Sequence, residues 1–493
     1  MNKMRIAILF LLFCPALNSV IRAQNDTLEL HLEEVVQLAR ENSIQAMTAE
    51  NQMQTAYWQY RLYKANYRPT LSLDATLPSL NRSIQSITLP DGSDVFVNRS
   101  LASSRTGINL MQRIRWTGGQ VFIGSDIERI DLFSDPASTS YLVSPLNIGI
   151  RQPLFQFNPF KWETRIAPLE YEEAKKRYLE SLEQLSIEAV QQFFDLYLAE
   201  INVSIARQNV ANNEELMKIT RGRYNLGKIG ENDLLQMELQ LYNARSSLAR
   251  ALLDVRINTF RLKRFLRLDE HVRIRIVPPR EVPVMNIDIQ QALQYARANR
   301  SDQLAFKKQL LEAERNMDQV IKSTGLNADL TATFGLTNTS NQLGQLYSNP
   351  VDYQRFSLNL SMPILDWGKT RAQISIARSN NELVRNSIEQ QTINFDEEVI
   401  LQVSQYELQK DNLKIAEKAD TIAQKRYEVA RQRYIAGKIS VTDLNLANTE
   451  RDLARRDYLA SLRSFWVNYY NIRKITLFDF RDGKVIELPE LKY

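Results

Sequence analysis

Cysteine occurs once in the 493 residues, histidine twice, and glycine and proline only fifteen times each. The lone Cys14 falls in an N-terminal stretch where Lys3 and Arg5 precede the apolar run Ile6 to Leu12, with a plausible cut at Ala23-Gln24. Residues 1–23 therefore read as a secretory signal peptide, because the run is far below the ~20 residues a bilayer-spanning helix needs. Phe13 is bulkier than the residue that precedes a lipidated cysteine, so Cys14 is read as discarded with the signal. The mature chain then has no disulfide, no thiol nucleophile and no thiolate metal site.

His31 and His271 lie 240 residues apart in ordinary helical or charged runs and read as surface or interface residues. No phosphate-binding glycine loop, metal-spaced cluster or nucleophile elbow is present. No enzyme, cofactor or metal is expected. Lys and Arg total 62 against 57 Asp and Glu. Three of those cations, Lys3, Arg5 and Arg22, lie in the signal, so the balance gives no reason to expect nucleic acid.

What the chain does have is one stretch written twice. Residues 223–234 read Arg-Tyr-Asn-Leu-Gly-Lys-Ile-Gly-Glu-Asn-Asp-Leu and residues 433–444 read Arg-Tyr-Ile-Ala-Gly-Lys-Ile-Ser-Val-Thr-Asp-Leu. In each, a glycine-poor helical pattern ends at Gly-Lys-Ile and a second begins near an Asp. Glycine suits the left-handed residue just past a helix end, and Asp or Ser suits the cap of the next helix. Each copy predicts the tip of an antiparallel helical hairpin. Gly227 and Gly437 are 210 residues apart, as are Asp233 and Asp443.

The duplication extends outward. A helical pattern over 28–66 matches one over 286–322, and Pro153 matches Pro363. The first half carries about 47 more residues between these landmarks than the second. This gives a first repeat at 24–285, a second at 286–475, and a tail at 476–493 where periodicity is lost.

Between the landmarks the apolar period becomes two. Leu71, Leu73, Ala75 and Leu77 alternate with Ser72, Asp74 and Thr76; stretches around Ile148, Leu330 and Leu358 do the same. Strands of about 8–11 residues with one apolar face fit either a soluble sandwich or a tilted membrane barrel. Polar residues on the other face (Asp74, Arg151, Asp329) favour a barrel with a wet lumen, the only sheet without free edges in lipid. The extra residues hold a further pair, Ile108–Trp116 and Val121–Ile127, joined by Thr117-Gly118-Gly119. That is an inserted hairpin, which either widens the barrel or projects from it. The long helices expected over 161–222 and 368–432 would each measure ~90 Å. Leu182, Ala189, Leu196, Val203, Val210 and Met217 fall seven apart, a coiled-coil seam. Return helices are expected over 231–268 and 441–475.

The signal peptide, the duplicated helix–strand–strand–hairpin order, the strand exits Pro153-Leu154-Phe155 and Pro363-Ile364-Leu365-Asp366-Trp367-Gly368-Lys369, and the two tips resemble the TolC-type outer membrane efflux protein family. The likeness covers about residues 28–475. It implies a mixed α and β fold, mostly long helices: a homotrimeric outer-membrane β-barrel continued by a periplasmic α-helical coiled-coil barrel. It implies four strands per chain, twelve in all, a count the inserted hairpin puts in question. It implies a passive export duct of a tripartite efflux or type I secretion system, in a Gram-negative outer membrane. Its partners would be outer-membrane lipid, a periplasmic adaptor and an inner-membrane transporter. Adaptor contacts then match Leu226, Gly227, Lys228 and Ile229, and Ala436, Gly437, Lys438 and Ile439. Asp443 matches a gate aspartate and Tyr434 a position that helps hold the closed state, with Asp233 the equivalent carboxylate of the first tip. Leu446 stands where a second gate aspartate is often found. The rival reading is a periplasmic coiled-coil adaptor or spacer, which would need one hairpin flanked by β-rich modules.

Overall fold

The computed structural model describes residues 27–133, 136–279, 282–283 and 285–489. The signal peptide with Cys14, and the last four residues of the tail, lie outside them. In chain order the elements are β1 (Thr27–Leu30), α1 (Leu32–Asn42), α2 (Ile44–Ala65), β2 (Thr70–Thr88), β3 (Asp94–Arg113), β4 (Gln120–Leu132), β5 (Ser138–Leu154), α3 (Pro159–Asn225), α4 (Glu231–Leu266) and β6 (Arg273–Ile276). There follow α5 (Ile289–Asn299), α6 (Asp302–Ser323), β7 (Asn327–Ser340), β8 (Val351–Ser361), α7 (Lys369–Ile435), α8 (Val441–Thr476), β9 (Phe478–Asp479) and β10 (Lys484–Val485).

Two compact units divide the chain, one of residues up to 39 with 189–282, the other of 40–188 with 283 onward. In the first, β1 pairs in parallel with β6, and Leu30 and Ile276 are buried between their neighbours. The N-terminal part of the 28–66 pattern is thus a strand. Val203 and Ala206 of α3 pack on Ala251 of α4, with Leu248 and Val255 beside them. Of the seam residues, Leu182, Ala189, Leu196, Val203 and Met217 are buried and Val210 is half-buried.

In the second unit the remaining helical part of that pattern breaks at Ser43, whose hydroxyl accepts from Ala46 N at 3.1 Å and so caps α2. A small polar residue that can satisfy free backbone donors makes a helix start where periodicity alone predicted continuation. The matching pattern divides at Ser301, between α5 and α6. Fully buried Glu183 of α3 accepts from Arg40 and from Arg473 of α8, and Arg473 also reaches Asp479 at 2.5 Å. Two carboxylates outweigh desolvation and hold the Arg473 guanidinium well above its ordinary value. The tail is fastened by this network: β9 and β10 form a short antiparallel pair, and Phe478 stacks on Tyr295 of α5 at 3.9 Å.

The sheet of this unit has six strands in the order β2-β3-β4-β5-β7-β8, antiparallel throughout. The inserted hairpin is β3–β4, in the middle of the sheet, so the count is six rather than four. The strands run from 11 to 20 residues, longer than the 8–11 expected. β2 and β3 stay paired from Thr70↔Met111 to Thr88↔Asp94, through polar residues where alternation fades. Backbone hydrogen bonding, rather than apolar patterning, carries the strand to its turn.

Candidate functional site: hairpin tips and a two-faced sheet

At the first tip, α3 ends at Asn225 and Gly227 adopts φ 67. Gly227 N donates to Tyr224 O at 2.8 Å and Lys228 N to Arg223 O at 2.9 Å. At the second, α7 ends at Ile435 and Gly437 adopts φ 73. Gly437 N donates to Tyr434 O and Lys438 N to Arg433 O, both at 2.9 Å. Each is a Schellman ending, which needs a left-handed residue one past the cap and so explains the glycine. Turning the chain this way leaves Leu226, Lys228, Ala436 and Lys438 exposed and Ile229 and Ile439 half-buried. Leu226 is 73% exposed, a large apolar side chain presented to solvent.

The next helices start differently. Ser440 Oγ accepts from Asp443 N at 3.1 Å, and Asp443 Oδ2 accepts from Ser440 N at 3.2 Å and Ser440 Oγ at 2.8 Å. This reciprocal capping box holds the Asp443 carboxyl below the ordinary aspartate value, through the Ser440 hydroxyl and amide. At the first tip Gly230 occupies the cap and supplies no side-chain hydrogen bond. Asp233, half-exposed in the first turn of α4, corrects the expectation that both aspartates stabilise their helices through cap hydrogen bonds. It keeps only a favourable place near the positive end of the helix.

Tyr434 is 2% exposed, and Tyr427, two turns earlier, is also buried. Arg451 stacks over the Tyr427 ring at 4.1 Å and donates to Asp452 at 2.6 Å. Farther along the hairpin Arg455 pairs with Asp420 at 2.8 Å, and Arg426 pairs with Glu450. Sequence reasoning missed this polar belt joining α7 to α8. The signal was there: Leu444, Ala447 and Arg451 share one buried helix face, and an arginine on such a stripe needs a partner.

The sheet has the second arrangement of functional interest. Leu71, Leu110, Ile123, Ile148 and Phe334 are directly paired across five strands, and Phe356 continues the same face on β8 through Ala332. The opposite face carries Arg105 with Asp126 at 3.3 Å, Arg151 with Asp329 at 3.8 Å, and Asn109 donating to Asp74 at 2.9 Å. Both long helices leave from one end of this sheet. Asn158 Oδ1 accepts from Phe160 N and caps α3; at α7 the cap position is Gly368, and Asp366, two residues earlier, accepts from Thr370 N. Among the described residues no helix is long and apolar enough to cross a membrane, and no group of His, Cys, Asp and Glu is placed to hold a metal ion.

No curated protein sequence matches the chain. Among solved structures it is similar to a membrane protein from Pseudomonas aeruginosa (17% identity, 92% of each chain, TM-score 0.66). It is also similar to the CmeC outer membrane channel of Campylobacter jejuni (17% identity, 90% of this chain and 85% of that one, TM-score 0.64). The open state of the Neisseria gonorrhoeae MtrE outer membrane channel matches as well, at 17% identity over 90% and 88% of the chains, TM-score 0.60. At these identities the likeness is one of fold. The model of the outer membrane efflux protein family matches residues 35–266 and 288–476, most of the chain, and to that family the chain belongs.

Proposed function

We propose that the protein is a passive outer-membrane duct, a homotrimer that receives a periplasmic adaptor at its tips and conducts what an inner-membrane transporter delivers. The observation that carries this reading is a set of surfaces left uncovered by the chain itself. On α7, Leu401, Leu408, Ile415, Ile422 and Val429 are all exposed at seven-residue spacing. On α4, Leu239, Leu253 and Phe260 are exposed and fall on one seven-residue register, with Ser246 at the position between the first two. A heptad seam exists to pack on another helix. Further copies of this chain are its natural cover, and a ring of them is the closed assembly such head-to-tail contacts make.

Within that ring Leu226, Gly227, Lys228, Ile229, Ala436, Gly437, Lys438 and Ile439 are the adaptor contacts. Asp443, Asp233 and Tyr434 form the periplasmic gate. Asp443 adds charge to the aperture while bracing the start of α8, so cap and gate are one device. Opening is an iris-like slide of α7 and α8. The two-repeat plan, 24–285 and 286–475, is supported by equal helix lengths: α3 and α7 have 67 residues each, α4 and α8 have 36 each. A spacer would not need a sheet with large apolar side chains exposed on one face, such as Ile123 at 38% and Phe356 at 74%. Outer-membrane fractionation with heat-modifiable migration in detergent gels tests the reading. Migration unchanged by heating, with the protein in the soluble periplasmic fraction, would overturn it.

A further inference from the structure

We propose that the β3–β4 hairpin is barrel wall, so that three copies close an eighteen-stranded barrel in which β8 of one copy pairs with β2 of the next. The inference rests on the trimeric duct reading above and adds the width of the lumen. Three observations support it. First, the hairpin is central in the sheet, with β3 paired to β2 and β4 to β5. Removing it would expose two edges in the middle of the sheet, whereas the edges the chain leaves open are those of β2 and β8. Unpaired edges are not tolerated in lipid. β2 runs away from the helical end and β8 back to it, so a β8-to-β2 joint is antiparallel and continues the alternation already present.

Second, the hairpin carries both faces in register with its neighbours. Leu110 and Ile123 lie in the apolar row between Leu71 and Ile148; Ile108 and Ile123 are exposed. On the other face Arg105 of β3 pairs with Asp126 of β4, and Asn109 of β3 with Asp74 of β2. An appendage standing clear of the wall would have no reason to keep an apolar row continuous with it. Third, the β3–β4 turn is fastened where the helices begin. Asn158, which caps α3 through its oxygen, donates through Nδ2 to Arg115 O at 2.9 Å and Trp116 O at 3.1 Å. Gln152 Nε2 donates to Thr117 O at 2.9 Å. One asparagine thus holds the helix start and the inserted turn together.

At ~4.8 Å between strands and a tilt of ~40°, eighteen strands give a backbone diameter of about 36 Å against about 24 Å for twelve. The wider ring gives a correspondingly wider aqueous bore. The test is electron cryomicroscopy of the full chain in lipid nanodiscs, counting strands in a section through the barrel. Eighteen strands around three copies is the expected result. Twelve, with residues 94–132 outside the ring, would overturn the inference and leave the duct standing; the absence of any ring would remove the duct reading itself. A second measurement needs no new fold: single spin labels at Ile108 and Ile123, and at Asn109 and Asp126. The mature chain offers no competing thiol for labelling. The first pair is expected to relax with oxygen dissolved in lipid and the second with a water-soluble nickel chelate. Water access at all four positions would also overturn the inference.

Discussion

Gly437 sets the second tip by a backbone angle that a side chain disfavours. Nothing in the fold crowds the equivalent Gly227: a Cβ there meets no atom within 4 Å, so strain alone decides. Gly437→Ala is expected to weaken the turn by roughly 1–2 kcal/mol, the cost of a left-handed conformation for an L-residue. The readout is faster amide exchange over residues 433–440 with the rest of α7 unchanged. Asp443 adds a pH dependence. Its folded value is lowered, so the stability it contributes is complete above the ordinary value of 3.8 and is lost as pH falls through the lower folded value. The protection of amides 440–444, taken relative to the intrinsic exchange rate at each pH, should therefore fall below pH 3.8 and stay flat from there to neutrality; Asp443→Asn should remove the dependence. Glu183 is the residue on which α1, α3 and α8 converge. Glu183→Leu removes the carboxylate that Arg40 and Arg473 share, leaving Arg473 with Asp479 and Arg40 with the Ser186 hydroxyl, and is expected to destabilise the protein by about 3–5 kcal/mol in chemical denaturation.

The long helices and their turns were legible from sequence because each boundary has a local chemical cause. Expected at 161–222 and 368–432, they run Pro159–Asn225 and Lys369–Ile435, from an Asn158 cap or an Asp366–Gly368 turn to a glycine. The strands were legible where alternation was strict and not beyond, since β2 and β3 continue through Ser, Asn, Arg and Gln on backbone pairing and cross-strand side-chain bonds such as Arg82 to Ser100 and Arg99 to Gln85. β1 and β6 were illegible: they pair across more than 240 residues, and nothing local in Thr27–Leu30 announces a partner. The breaks at Ser43 and Ser301 were visible as residues but hidden by continuous periodicity. At the tips the glycines and Ser440 were readable, while Gly230 took a cap that the neighbouring Asp233 had suggested. The α7 seam makes the element-scale prediction. Ile415→Glu with Ile422→Glu should leave helical content intact and shift the detergent-solubilised protein from trimer to monomer in light scattering. A persisting trimer would mean that the seam is not an interface.

For the whole molecule, the sheet and the hairpins point to one conclusion by different physics. A sheet with one exposed apolar face and ion pairs such as Arg105 with Asp126 on the other is built, under the proposed reading, to divide lipid from water. In the proposed assembly, helices with uncovered heptad seams continue the ring away from it. In the proposed duct, choice of cargo is left to whatever engages the tips. The most direct measurement is single-channel conductance of the purified protein in a planar bilayer, before and after Asp443→Ala. The account predicts a stable channel of small conductance, blocked by cations, that conducts more and loses the block in the variant. Folded protein that never conducts would contradict the duct, and conduction unchanged by the substitution would contradict the gate.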